Sequence, residues 1–187
     1  MHHLTTPFTA GWRHHVWLAL LIAASLAFTF GFACAVPFAA FGAVAAMTLP
    51  RHDALLLTAA LWLVNQIAGF AFLHYPWDGL TLAWGAILGV IAVLSTAAAQ
   101  AASFRRTGVV ATAIASFAAA FLVYEGGLYL VSATVMGGTE DFVLAVVLRI
   151  LEINVAAFVA LLAASLSIAA GSRFSASSHT ARPLMQR

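Results

Sequence analysis

The residues of this chain best suited to chemistry are polar side chains placed inside apolar stretches. Glu125, Arg149 and Glu152 each interrupt a long apolar run, and the adjacent amides Asn65 and Gln66 interrupt another. An Arg guanidinium binds anionic or carbonyl groups through charge-assisted hydrogen bonds, and carboxylates and amides can complete the hydrogen bonding of the same solute. These residue types therefore indicate recognition of a polar solute.

Covalent catalysis is not predicted, because the groups that activate a nucleophile are missing. All seven His residues lie in predicted tails or loops, and the eight basic residues are all Arg. The Ser and Thr residues within the apolar runs therefore have no His or Lys base at a suitable depth. The sequence also lacks a metal-ligand triad and a phosphate-binding loop. We expect no enzyme activity, no cofactor and no metal site.

Composition assigns the chain to the membrane proteins. Of its 187 residues, 64% are hydrophobic and only 7% are charged, against about 25% charged residues in soluble domains. The mean hydropathy is +1.02. Apart from Arg149, the Arg residues stand singly or in pairs near the ends of apolar runs, as topology signals do. We therefore expect a lipid bilayer and no nucleic acid as partner.

Apolar runs and their interruptions predict an all-α, polytopic membrane protein with six transmembrane helices. Residues 1–15 form an N-terminal segment, residues 16–171 the transmembrane domain, and residues 172–187 a Ser-rich tail that we expect to be disordered. The predicted spans are 16–33, 37–49, 54–73, 80–102, 107–135 and 142–171.

The distribution of Arg predicts the orientation of these helices. With six spans, seven of the eight Arg residues fall on the side of the termini, and the loops of the other side carry only acidic charges. The positive-inside rule then places both termini in the cytoplasm. The segments 34–37, 74–79 and 136–141 are the predicted outward loops.

The five polar residues fall within one predicted depth range. Counted along their helices from the outward side, Arg149, Asn65 and Gln66 lie roughly 10–12 Å deep, and Glu125 and Glu152 roughly 15 Å deep. In one interpretation these groups pair with each other and with backbone, holding helices together. In the other they form the floor of an outward-facing cavity that binds a solute. A separate amide, Asn154, is expected to bond a neighbouring helix.

Aromatic residues are concentrated in the predicted outer half, which favours the cavity. Cys34 and His74 lie at its predicted mouth, where a thiolate or imidazole could ligate a metal centre carried by a solute. The alternatives, an isolated small apolar residue for Cys34 and an ordinary loop residue for His74, are favoured over ligation. The expected walls are Tyr75, Trp77, Trp84, Tyr124 and Tyr129.

Small residues recur at four-residue spacing on two predicted helices. The first helix carries Ala19, Ala23, Ala27 and Gly31, and the fourth carries Gly85 and Gly89. Such stripes let another helix approach closely. The partner is either a helix of this chain or another membrane subunit.

In architecture over residues 16–171, and in the Ala19, Ala23 and Ala27 ridge, the chain resembles the substrate-binding S-component of energy-coupling factor (ECF) vitamin transporters. The resemblance implies that the ridge docks onto a membrane coupling subunit driven by ATPases, in the inner membrane of a bacterium. It places the solute near the outer face, close to residues 34–37 and 74–79. The cobalamin-type members are the first expectation for the substrate.

Two other functions remain open at this point. A structural or assembly subunit of a larger membrane complex would use the ridges as contacts and the charges as interhelical bonds. An ion-coupled carrier of small solutes would use Glu125 or Glu152 as a proton site, although the two halves of the chain show no inverted repeat.

Overall fold

A computed structural model describes residues 11–32, 36–104 and 108–180, and these residues form helices and connecting turns without a strand. A π-helical segment, Ser132–Met136, extends the fifth helix, and a 3-10 turn, Thr139–Phe142, precedes the sixth. The all-α class is confirmed. The helices are α1 (Trp12–Phe32), α2 (Phe38–Thr48), α3 (Arg51–Ala71), α4 (Gly79–Phe104), α5 (Val109–Val131) and α6 (Leu144–Thr180).

The second helix differs from the predicted transmembrane span. Among the described residues five helices are long and apolar enough to cross a membrane, and α2, with 11 residues, is not one of them. At about 1.5 Å per residue α2 is about 16 Å long, half the thickness of a hydrocarbon core. All of its residues except Ala46 are buried. Because protein rather than lipid encloses α2, its length need not match the bilayer.

Contacts with α1 show that α2 nevertheless carries the chain from one end of the bundle to the other. The ring of Phe41, near the start of α2, packs edge-on against Phe28, near the end of α1, at 6.1 Å. At the other end of α2, Thr48 accepts a hydrogen bond from the indole of Trp17 at 3.2 Å. The two helices are therefore antiparallel.

The beginning of the first helix and the later part of the last helix meet at the same end of the bundle. The guanidinium of Arg13 donates a hydrogen bond to the carbonyl oxygen of Ile168 at 3.0 Å. We call this the arginine end, since Arg51 also begins α3 there, directly after α2. The opposite end, called the loop end, contains the segments 72–78 and 137–143.

Small residues and side-chain hydrogen bonds hold α2 at the centre. A Cβ atom on Gly42 would lie 2.5 Å from Oγ1 of Thr96 on α4, so only glycine permits this approach. From α6, Oδ1 of Asn154 accepts the backbone N–H of Ala40 at 3.2 Å. That N–H lies in the first turn of α2, where no intrahelical acceptor exists. The predicted interhelical role of Asn154 is confirmed.

The last helix is longer than the sequence indicated. We expected the chain to become disordered from residue 172, but α6 continues to Thr180. The Ser-rich composition of residues 172–180 does not prevent helix formation, because this stretch contains neither Pro nor Gly. Residues 181–187 lie outside the described part of the chain.

Candidate functional site

The predicted polar floor does not assemble around Arg149 and Glu152. Nη1 of Arg149 lies 3.3 Å from Oε2 of Glu152, and each side chain is 68% exposed. The buried side of α6 is instead formed by residues such as Asn154, Ala157 and Leu161. Although the polar residues have similar predicted depths, their side chains do not point in the same direction, because the Arg149–Glu152 pair faces away from the bundle. The structure does not bring these two residues into an internal floor with the other polar residues.

The two amides of α3 serve different neighbours. Asn65 is buried and donates from Nδ2 to Oγ1 of Thr29 on α1 at 3.1 Å. Gln66 is only partly buried and lies against Gly85 of α4, where a Cβ would be 2.6 Å from Oε1. Asn65 thus matches the structural interpretation of the polar residues. Gln66 lines a small cleft of about 270 Å³ between α3 and α4, together with Trp62 and Phe70.

Glu125 and Tyr124 are both buried in the bundle. Tyr124 packs its ring against Phe38, the first residue of α2, at 6.1 Å. The two carboxylate oxygens of Glu125 are inaccessible, and neither has a hydrogen-bond partner among the described residues. Neither residue lines one of the two clefts found. Tyr124 is therefore a core residue rather than a cavity wall.

A cleft lies at the loop end, between α4, α5 and the segment that joins α5 to α6. Its volume is about 540 Å³. Trp84 is the only predicted wall residue that lines it, and Asp141 is the only ionisable residue among the lining set. The full lining is Leu80, Trp84, Leu88, Leu128, Ser132, Met136, Gly137, Gly138, Asp141 and Phe142.

The irregular end of α5 helps to form this cleft. The backbone N–H of Gly137 reaches back five residues to the carbonyl oxygen of Ser132 at 2.9 Å. Gly137 and Gly138 then adopt positive φ angles of 76° and 88°, which glycine tolerates best. π-helical turns are frequent at functional sites. The adjacent glycines were a visible turn signal, but nothing in the periodicity indicated that Ser132 and Met136 would face a cleft.

The other predicted aromatic walls form separate clusters at the loop end. Trp77 is 76% exposed and lies against Phe70, with ring centroids 4.4 Å apart. Tyr75 meets the edge of the same Phe70 ring at 6.0 Å. Tyr129 packs edge-on against Phe142 at 5.5 Å. The structure does not bring these rings together into one cup.

Of the two residues predicted at the mouth, only one can be placed. His74 is exposed in the loop after α3 and has a positive φ of 58°, a conformation uncommon for residues other than glycine. His74 does not line either cleft. Cys34 lies outside the described residues.

The stripe on α1 faces outward along its whole length. Ala19, Ala23, Ala27 and Gly31 are all exposed. A Cβ on Gly31 would meet no described atom within 4 Å. Packing against another helix of the chain, one of the two predicted explanations, is therefore not seen for this stripe among the described residues. The opposite face of α1 is the buried one, formed by Trp17, Leu21, Ser25 and Thr29.

Comparison with known protein families, with characterised proteins and with solved structures gives no match for this chain. Its function is therefore argued from its own geometry and charge.

Proposed function

We propose that the chain is a membrane-embedded substrate-capture subunit for uptake of a vitamin-like micronutrient. The observation that carries the proposal is the cleft of about 540 Å³ at the loop end. This volume is within the range of about 300–1,000 Å³ that is typical of small-molecule sites. If the arginine end faces the cytoplasm, as the positive-inside rule indicates, the cleft opens to the outside of a bacterial inner membrane, where a nutrient arrives.

The lining of the cleft favours a particular solute chemistry. Trp84 and the neighbouring Leu residues offer an apolar and aromatic surface, and Asp141 offers a hydrogen-bond acceptor with a negative charge. A solute with an apolar or aromatic body and a cationic or N–H donor group would complement this surface. This differs from the anionic or carbonyl group that Arg149 suggested. Cobalamin and related corrinoids, which carry amide donors, remain the first compounds to test.

The outward stripe of α1 supports coupling to another membrane component. Ala19, Ala23, Ala27 and Gly31 leave a smooth surface on which a second helix can pack closely. The sequence contains no nucleotide-binding motif, so concentrative uptake would take its energy from a separate ATPase. Docking of an ECF-type coupling subunit on this stripe would join capture to transport.

Ligand binding by the purified protein tests the proposal. At a ligand concentration one hundred times Kd, binding adds about 2.7 kcal/mol to stability, so a thermal-shift panel of vitamins led by cobalamin should reveal one stabilising compound. Asp141→Asn removes a charge-assisted hydrogen bond worth about 1.5–3 kcal/mol. We expect this variant to weaken binding about 10- to 100-fold.

Matched variants make this test specific for the cleft. Glu140→Gln changes the neighbouring acidic residue, which does not line the cleft, and should leave affinity unchanged. Arg149→Ala should also leave affinity unchanged, because Arg149 faces away from the bundle. Binding that is lost with Arg149→Ala but kept with Asp141→Asn would move the site away from the cleft. No stabilising compound in the panel would count against substrate capture.

The proposed orientation has its own test. In a Cys34→Ser background, the single substitutions Asp78→Cys and Glu140→Cys each introduce one thiol at the loop end. Both thiols should react with a membrane-impermeant maleimide added to spheroplasts, whose inner membrane is intact. A cysteine at Arg51, at the arginine end, is the control and should react only after the membrane is opened. The reverse pattern would put the cleft on the cytoplasmic side.

The exposed ion pair on α6 favours a second candidate, an assembly subunit of a larger membrane complex. Arg149 and Glu152 each remain 68% exposed on a helix that spans the predicted membrane, and charged groups in lipid are costly unless a partner covers them. In this case the chain should copurify in fixed stoichiometry with other membrane proteins. The double variant Arg149→Leu with Glu152→Leu should disrupt that association without abolishing solute binding.

A further inference from the structure

Glu125 is the one carboxylate that the structure buries inside the described bundle. The residue is 8% exposed, and both carboxylate oxygens are inaccessible and without a hydrogen-bond partner in the described part of the chain. It lies about 16 Å from the end of the π segment at Met136, counted at about 1.5 Å per residue. An ionised carboxylate in such a place needs a counter-charge or several hydrogen bonds.

The elements packed against α5 supply no counter-charge. α2, α4 and the π segment Ser132–Met136 contain no titratable residue at all. On α6, Arg149 and Glu152 are paired with each other at 3.3 Å on the outward face, and the remaining titratable residues, Arg173 and His179, lie in its C-terminal turns. On α5 itself, the titratable neighbours are the phenols of Tyr124 and Tyr129.

Glu152 provides a comparison at a similar predicted depth. Its carboxylate is exposed and lies 3.3 Å from the guanidinium of Arg149, which provides a counter-charge. In the described part of the chain, the carboxylate of Glu125 is inaccessible and has no hydrogen-bond partner. The two carboxyl groups should therefore differ in charge at the same pH, with Glu125 neutral and Glu152 anionic.

We propose that Glu125 is a proton-binding site within the membrane domain, and that its carboxyl group holds a proton at neutral pH. The ligand is the proton itself, held as the O–H of a neutral carboxylic acid. A cation that entered this position would have to displace the proton one for one to keep the site neutral. The inference is independent of the loop-end cleft, which Glu125 does not line.

Infrared spectroscopy of the intact chain with ¹³C-labelled glutamate tests the proposal directly. The sequence has three glutamates, Glu125, Glu140 and Glu152. Glu140 is exposed in a loop and Glu152 is ion-paired, so both should contribute ionised carboxylate bands at neutral pH. One glutamate in three should show the carbonyl stretch of a protonated acid. A spectrum in which all three glutamates are ionised would overturn the proposal. This measurement uses the wild-type chain, so it does not depend on a variant that could fail to fold.

Two variants assign the band to its residue. Glu125→Gln is neutral and nearly the same shape as a protonated glutamate, so it should remove the protonated-acid band and keep the melting temperature of the wild type. Glu152→Gln is the matched control and should leave that band intact. If Glu125→Gln keeps the protonated-acid band, or loses an ionised carboxylate band instead, Glu125 is charged in the wild type and the proposal is wrong.

Chemical modification gives a third readout. Dicyclohexylcarbodiimide adds across a protonated carboxyl group in apolar surroundings: the acid proton moves to nitrogen and the carboxylate oxygen bonds to the central carbon. We expect peptide mass spectrometry to find one added reagent at Glu125 and none at Glu152. The water-soluble carbodiimide should show a different preference, for the exposed Glu140 in the loop and not for Glu125. Labelling of Glu152 by the apolar reagent, with Glu125 unmodified, would contradict the assignment.

Discussion

The small residues of α4 and those of α1 have the same four-residue spacing but opposite surroundings. On α4, Cβ atoms at Gly85 and Gly89 would lie 2.6 Å from side-chain atoms of α3. On α1, the stripe faces outward, and Gly31 has no described neighbour within 4 Å of such an atom. The spacing thus predicts a surface that permits close approach. It does not say whether the approaching helix belongs to the same chain.

The largest effect is expected from filling the α3–α4 contact. In Gly89→Leu the new Cβ would lie 2.6 Å from Cε2 of Trp62, and a bulky side chain has no room to move aside. Overpacking of this kind costs about 1–3 kcal/mol, and we expect the upper part of that range. The measurement is the thermal unfolding of the purified protein in detergent. Gly31→Leu is the control and should unfold like the wild type.

A smaller effect is expected from removing the hydrogen bond at the same contact. The indole N–H of Trp62 donates to the carbonyl oxygen of Gly85 at 2.7 Å. Trp62→Phe keeps an aromatic ring but loses this bond, at a cost of about 1 kcal/mol. Thermal unfolding again measures the difference, and Trp77→Phe, on the exposed loop-end ring, should change it less. Equal losses for the two variants would mean that the Trp62 bond is not a specific part of the α3–α4 contact.

Enlarging the α1 stripe should have almost no effect on the isolated chain. Ala23→Leu places the larger side chain on an exposed face, where substitutions usually change stability by no more than about 0.5 kcal/mol. The same variant should abolish association with a membrane partner that docks on the stripe. Detergent copurification compares the two properties, with Ala160→Leu on an exposed face of α6 as control. Strong destabilisation of the isolated chain would show that the stripe packs within the chain after all.

The smallest effect concerns the start of α4 and depends on pH. The backbone N–H of Thr81 donates to Oδ1 of Asp78 at 2.8 Å, and this bond lowers the pKa of Asp78 below its ordinary value of 3.8. Because the folded pKa is the lower one, the contribution is present above pH 3.8 and is lost as the pH falls through the folded value. Asp78→Asn keeps a capping acceptor that does not titrate. The stability difference between wild type and variant should therefore change only in acid, and a change near neutral pH would point to another group.

Much of the architecture was predictable from local patterns. Charges and turn residues set the helix boundaries to within a few residues for most helices, because a charged residue rarely lies within a membrane-spanning segment. The span count was the exception. Nothing in the apolar run before Pro50 distinguishes a helix enclosed by protein from one that meets lipid, since both are apolar on every side.

The candidate site was less predictable, because depth and direction are different coordinates. Counting residues gave Arg149, Glu152 and Glu125 a common depth. The first two nevertheless face outward, and the third is buried with no hydrogen-bond partner in the part of the chain that the structure describes. Trp84 lines a cleft, but this cleft is formed with Asp141 and the end of α5 and not with the polar layer. The rotation of each helix about its axis is set by side-chain packing across the bundle, so it cannot be deduced from the sequence of that helix alone.

The sequence by itself determined that this chain is a bundle of apolar helices with Arg residues concentrated at one end. The transfer of a segment between water and lipid depends only on the composition and charges of that segment, so it can be read from the sequence. Tertiary structure alone decided which residues meet. It enclosed α2, turned the α1 stripe outward, paired Arg149 with Glu152 on the surface and buried Glu125 without a hydrogen-bond partner among the described residues. These outcomes depend on how helices rotate and pack against each other, and that is a property of the whole bundle.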